Sequence, residues 1–158
     1  MSISKIKKDL EGQKKFPPVD QWNPDLCEGQ EFFIDREGNW FYNHSPIKNK
    51  KLINLFSTVI RNDDNNYFLV TPVEKVSVKV ELAPYKVIDF EISKNNIKLF
   101  TNMNYDFELN ALNTTRLIAY NNSEIPLVHV RNKIEGFFDR NIYYCLLYTS
   151  DAADERRR

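Results

Sequence analysis

The chain has 158 residues, with 22 basic and 22 acidic side chains, zero formal net charge and a pI near 6.7. That length suits one domain or two small subdomains and buries enough surface to fold without a metal or a disulfide. Neutral charge excludes the broad attraction of a nonspecific nucleic-acid binder. A 42% hydrophobic and 28% charged composition excludes general disorder, and no apolar run approaches the ~18–20 residues that span a bilayer.

Met1–Lys15 is a polar, lysine-rich arm without the apolar run and small-residue cleavage site of a secretory signal. Ile3, Ile6 and Leu10 keep helical spacing, which predicts a short docking helix. As a membrane-surface helix with Lys5, Lys7 and Lys8 on lipid, it would bury little area. Phe16-Pro17-Pro18 and Trp22-Asn23-Pro24 mark an extended entry segment. Strands are predicted at Glu31–Asp35 and Asn39–Asn43, around a turn in which Gly38 takes positive φ. Ser45-Pro46 reads as a helix N-cap followed by proline at the first helical position. Leu52, Ile53, Phe56, Val59 and Ile60 then predict a central amphipathic helix reaching Ile60. Asn62–Asn66 ends it in a polar turn.

Tyr67–Thr71 reads as a strand, and Val76, Val78 and Val80 alternate with polar residues as a half-buried strand does. Ala83-Pro84 is the internal boundary. Further strands are expected at Ile88–Ile92, Ile97–Thr101, Asp106–Asn110, Leu117–Tyr120 and Ile125–Val130, and a helix at Ile134–Tyr144. The segments from Phe33 to Asn39 and from Phe90 to Asn96 both end a strand in a charged tight turn. Each is followed by an aromatic strand and an asparagine, Asn43 or Asn102, which makes a repeated hairpin motif.

Cys145–Glu155 reads CLLYTSDAADE and is followed by three arginines. This string resembles a translated sequencing adapter, which makes the chain a gene fragment whose native part stops near Tyr144. Ser150–Arg158 lacks an apolar period and is expected to be disordered. Cys27 is then the one native cysteine, which fits a reducing compartment, the cytoplasm.

Pro17-Pro18-Val19, Trp22-Asn23-Pro24, Trp40-Phe41-Tyr42, Ser45-Pro46-Ile47, Leu55-Phe56-Ser57, Tyr67 through Lys75 and Thr101-Asn102 occur in one order. Arg131-Asn132, Ile134-Glu135 and Tyr143-Tyr144 close the series. Together they resemble the bacterial domain-of-unknown-function family 1285 over residues 16–144. Asn110–Thr115 departs from the pattern, where a His-Pro-Leu-like turn is expected. The resemblance implies an α+β protein of two small β-rich subdomains with repeated motifs, the second β-roll-like. It also implies that no activity is established, although a role in signal transduction has been suggested for the family. The expected organisation is an arm (1–15), an α+β subdomain (16–83), a β-roll-like subdomain (84–144) ending in a C-terminal helix, and a tail (145–158).

Chemistry is sparse. His44 and His129 are the two histidines, and with Cys27 they make no zinc spacing. Acidic neighbours Asp25 and Glu28 would raise the Cys27 thiol pKa rather than activate it. His44 beside Ser45 lacks a third orienting residue. Glu74-Lys75 is the most tempting acid-base pair, yet adjacent strand residues face opposite ways. Glu74 on the valine face needs a partner, for which Arg131 is nominated. Trp22, Trp40 and Tyr42 are candidates for an aromatic binding surface. Aromatics near Lys48, Lys50 and Lys51 suggest single-stranded nucleic acid only weakly at zero net charge, and no phosphate-binding glycine loop is present.

The sequence therefore points to a non-enzymatic binding or regulatory module without catalytic residues, metal or cofactor. Its nominated binding residues are Trp22, Trp40, Tyr42, Glu74, Lys75 and Arg131. The expected partner is a protein or small molecule rather than nucleic acid or membrane. The alternatives are a small enzyme or metabolite-binding domain using Glu74, Lys75 and Arg131 in a groove between subdomains, and an oligomer paired through strand edges.

Overall fold

The computed structural model describes residues 16–94, 96–109 and 115–156. The expected arm (1–15) and the departure from the family pattern at 110–114 lie outside the described residues. The chain separates into two compact units, Met1–Pro84 and Tyr85–Arg158.

The first unit opens with a 3-10 turn at Val19–Gln21 and continues with β1 (Leu26–Ile34), β2 (Trp40–Tyr42) and β3 (Ser45–Pro46). Helix α1 (Lys50–Ser57) leads to β4 (Ile60–Asp63), β5 (Asn66–Val70) and β6 (Lys75–Val80). These strands form one mixed sheet in the order β3-β2-β1-β6-β5-β4, with β1 and β6 parallel. The second unit has β7 (Tyr85–Ser93), β8 (Asn96–Thr101), β9 (Asp106–Leu109), β10 (Thr115–Tyr120), β11 (Ser123–Arg131), β12 (Ile134–Phe138) and helix α2 (Arg140–Arg156). Its sheet runs β9-β8-β7-β12-β11-β10, with β7 and β12 parallel. Each unit is thus two three-stranded meanders joined through the parallel pairing of its first and last strands. The fold is α+β.

The two asparagines of the repeated hairpin occupy equivalent places. Asn43 Oδ1 accepts from Glu31 N at 2.9 Å while Asn43 N donates to the Glu31 carbonyl. Asn102 Oδ1 accepts from Lys86 N at 3.1 Å while Asn102 N donates to the Lys86 carbonyl. Each asparagine therefore extends the ladder one step past its strand, tying the second strand of its unit to the first.

Short polar pairs make the hairpins. Asn43-His44, Asp64-Asn65 and Asn121-Asn122 all have positive φ at both residues, the backbone a two-residue hairpin loop requires and asparagine tolerates. This overturns two local expectations. Ser45-Pro46 is not a helix start: Tyr42 pairs with Ser45 and Phe41 with Pro46, and Asn49 caps α1 instead by accepting from Leu52 N. Nor does the helix reach Ile60. β-branched Val59 and Ile60 are drawn into the sheet, Ile60 pairing with Leu69 and the Val59 carbonyl accepting from Val70 N. Asn62–Asn66 is accordingly a hairpin rather than a helix-ending turn.

The expected helix at Ile134–Tyr144 is strand in its first half. Ile134, Gly136, Phe137 and Phe138 are all buried in β12 between β11 and β7. A short run buried on both faces carries no period that separates helix from strand. Gly136 is needed there, because a Cβ would stand 3.1 Å from Tyr85 Cβ and from Val130 Cγ2. α2 continues to Arg156 through a segment expected to be disordered, where alanine, glutamate and arginine favour helix.

In the first unit the core is built on Phe32, Trp40 and Phe56. Phe32 meets Phe56 edge-on at 5.3 Å and Trp40 at 6.3 Å, and Trp40 stacks on Phe56 at 6.4 Å. All three are at most 1% exposed. Tyr85, Val87, Leu99, Leu127, Val128 and Ile134 form the corresponding core of the second unit. Phe56→Ala removes the helix's anchor and is expected to cost about 3–5 kcal/mol, measured by denaturant unfolding. A loss below ~1 kcal/mol would contradict this packing.

Candidate functional site

Strand alternation that buries Phe32 and Ile34 turns Glu31, Phe33 and Asp35 to the opposite face of the sheet. Phe33 pairs in register with Phe41 of β2, and their rings lie 5.9 Å apart at 39°. On the other side of β1, Ser77 stands opposite Glu31 and Lys79 opposite Phe33. Glu81 follows β6, its N–H donating to the Ile34 carbonyl. The result is an open groove of about 890 Å³ with Phe33 and Phe41 as its floor and Glu31, Asp35, Asn43, His44 and Glu81 around them. Both rings are half-buried.

Two of the groove's polar groups are held by turn and ladder hydrogen bonds. Asp35 is fixed by the hairpin turn: Oδ1 accepts from Glu37 N at 2.9 Å and Asn39 N at 2.8 Å, and Oδ2 from Asn39 Nδ2. Asn43 is committed to Glu31 N. Glu31 and Glu81 are exposed residues on the rim. Among the described residues no group of three or more His, Cys, Asp or Glu side chains could hold a metal ion.

The residues nominated from sequence fall elsewhere. Trp40 lies in the core at 1% exposure and presents no face to a partner. Trp22 is half-buried, and its carbonyl accepts from Arg61 Nη1 at 2.6 Å. Tyr42 shares the core face, 4.9 Å from Phe32, and donates its hydroxyl to Gln30 Oε1 at 2.7 Å. Burial, then the neighbouring Cys27 and Glu74, push its phenol above the ordinary 10.0. Tyr42 therefore stays protonated at neutral pH, unsuited to act as a base. Gly29, at φ +79°, lets β1 bulge here between its pairings at Leu26 and Glu31.

Glu74 and Lys75 are not brought together. Glu74 is close enough to Tyr42 to bias its ionisation. Lys75 lies 4.2 Å above the Phe68 ring and 3.5 Å from Asp63. Arg131 belongs to the second unit, where Nε donates to the Tyr85 hydroxyl at 3.2 Å. His129 Nε2 contacts the Asn132 carbonyl. Cys27 and Cys145 are free thiols. No helix among the described residues is long and apolar enough to cross a membrane.

Sequence reasoning missed Phe33, Phe41, Glu31 and Glu81. A signal was present: Phe33 has the parity of Glu31 and Asp35, so a strand burying Phe32 and Ile34 must show Phe33 with its charged neighbours.

With two β-rich units of shared connectivity in place, the comparisons are specific. Residues 17–83 match the N-terminal domain of the domain of unknown function DUF1285. A crystal structure of a DUF1285 family protein from Silicibacter pomeroyi DSS-3 is 30% identical, with a TM-score of 0.80 over 89% of this chain and 81% of that one. A second, from Shewanella baltica OS155, is 26% identical, with a TM-score of 0.62 over 77% of this chain and 94% of that one. The chain belongs to the DUF1285 family. No curated protein matches it.

One polar cluster supports the first unit from its edge. Arg61 donates through Nη1 to the Val19 and Trp22 carbonyls and through Nε and Nη2 to Asp63, which anchors the entry segment to β4. The hydrogen bond from Arg61, aided by the charges of Arg61 and Lys75, holds the Asp63 carboxyl below its ordinary 3.8. A carboxylate depressed in the folded state stabilises above its unfolded pKa, and that contribution is lost as pH falls through the folded value. Asp63→Asn is therefore expected to lower the thermal midpoint at pH 7 relative to the native chain, and the gap should close below about pH 4. A gap that is independent of pH would contradict the ion pair's role.

Proposed function

We propose that this protein is a non-enzymatic binding or regulatory module, acting in the cytoplasm in signal transduction, and that the outward face of β1 and β2 is its partner surface. The observation that carries this is the half-exposed Phe33–Phe41 pair on the floor of an open, carboxylate-rimmed groove. Aromatic side chains at a water-accessible surface are the usual anchors of protein interfaces. The turns fix the groove's shape without using up its apolar floor. Cys27 is a free thiol, which is compatible with a reducing compartment.

A small enzyme or metabolite-binding domain fits less well. An acid-base site needs groups that reach the same reacting atoms in usable protonation states. Here Glu74 borders a phenol pushed toward protonation, while Lys75 is engaged with Asp63 and Phe68.

A Phe33→Ser/Phe41→Ser double variant changes only outward side chains and is expected to fold, as checked by its thermal midpoint. In affinity purification from a bacterial host carrying an intact homologue, a stoichiometric partner should accompany the native chain and be lost from the variant. A partner retained by a folded variant would move the binding surface elsewhere. Turnover in a metabolite panel would replace the binding module with an enzyme.

A further inference from the structure

The edges of the two sheets are β3 and β4 in the first unit and β9 and β10 in the second. Three of them are guarded. β3 is two residues long and ends in Pro46, which has no N–H to offer. β4 has the entry segment fastened to it through Arg61. β9 is four residues long and carries Asp106 and Glu108. Short strands, proline, charge and a covering segment are the usual means of keeping an edge from pairing with another chain. β10 is six residues long, has no proline, and follows β11 in unbroken register from Thr115 to Tyr120. None of its residues is buried, and Leu117 is 54% exposed. Its one charged side chain, Arg116, reaches across β11 to Glu135 of β12 in two hydrogen bonds of 2.8 and 2.7 Å. The charge is thereby turned away from the free edge.

The hairpin fixes which backbone groups face outward. Asn121-Asn122 is a two-residue loop with positive φ at both positions, so the pair that closes it, Tyr120 and Ser123, exchanges both hydrogen bonds. Bonded and non-bonded pairs alternate from there. Ile118 and Arg116 therefore give their N–H and C=O groups to β11, while Ala119, Leu117 and Thr115 point theirs away from it. Pro126 agrees with this phase, because it stands opposite Leu117, where β10 asks for no N–H.

We infer that β10 pairs antiparallel with β10 of a second copy of this chain, about a two-fold axis at Leu117. The outward groups select that register. With Leu117 opposite Leu117 of the second copy, Thr115 meets Ala119, and each of these pairs exchanges both hydrogen bonds. Arg116 then stands opposite Ile118, so like charges do not face one another, and β-branched Thr115 faces a small residue. The strand is its own complement, as a two-fold contact requires, and this selects a second copy over an unrelated strand. Leu117 also lines a depression with Pro126, Phe138 and Tyr144, so the leucine of the second copy is received among apolar neighbours. A contact one strand wide makes a weak, concentration-dependent dimer. It uses no residue of the groove on β1 and β2, and it stands whether or not that groove takes a partner.

Sedimentation of the full-length chain from about 5 µM to about 1 mM, the range in which a weak dimer forms, tests this. The average mass should rise from 18.7 kDa toward twice that value. Leu117→Lys and Leu117→Glu each put like charges on the axis and should each weaken dimerisation by about tenfold or more. The side chain is exposed, so both variants should keep the native thermal midpoint. Mixed in equal amounts they should dimerise again, since lysine then faces glutamate. In the native chain, amide exchange at Thr115, Leu117 and Ala119 should slow as concentration rises, a readout that needs no variant. A chain that stays at 18.7 kDa throughout would overturn the inference. So would exchange at these amides that ignores concentration. A dimer that survives both substitutions would place the contact elsewhere and overturn it. Dimers lost from both folded variants and not restored in the mixture would overturn the pairing about Leu117.

Discussion

The first unit depends on three rings. Phe32 from β1, Trp40 from β2 and Phe56 from α1 meet within 6.4 Å of one another. They lock the helix to one side of the sheet and fix which face of β1 and β2 is buried. A strand has only two faces, so burying Phe32, Ile34 and Trp40 obliges Phe33 and Phe41 to stand on the other. The groove is thus a consequence of core packing. Its aromatic floor costs no separate scaffold, since neighbouring residues on the same two strands do both jobs.

The two units solve the same topological problem with different surfaces. Both join two meanders through one parallel pair, and both use an asparagine to tie the second strand to the first. Where their outward phenyl rings are covered by the chain itself, a lysine and an aspartate do it. Phe33 and Phe41 leave half-exposed aromatic area on the outward face of β1 and β2.

Much of the architecture was legible in the sequence, because alternation in Val76–Val80 and around Phe33 and Phe90 is strong, and because Gly38, Asn43 and Asn102 mark repeated turns. What was misread shares a physical cause. Ser45-Pro46, Val59-Ile60 and Ile134–Phe138 are short segments whose local preference is ambiguous, and long-range strand pairing decided each of them. The site was less legible. Trp40 and Tyr42 drew attention as large aromatics, yet ring size favours burial as readily as binding. Glu74 and Lys75 drew attention as a pair, although the strand period separates them. The parity of Phe33 with Glu31 and Asp35 held the better clue, but it becomes decisive only once Phe32 is known to be buried.

The central claim is that the outward face of β1 and β2 is where this protein meets a partner. Amide chemical-shift mapping of the full-length chain, titrated with the partner recovered by affinity purification, tests it by location. The account predicts shifts concentrated at Glu31–Asp35, Phe41–Asn43 and Glu81, with α1 and the second unit unmoved. Shifts centred on any other surface, with these amides still, would contradict it.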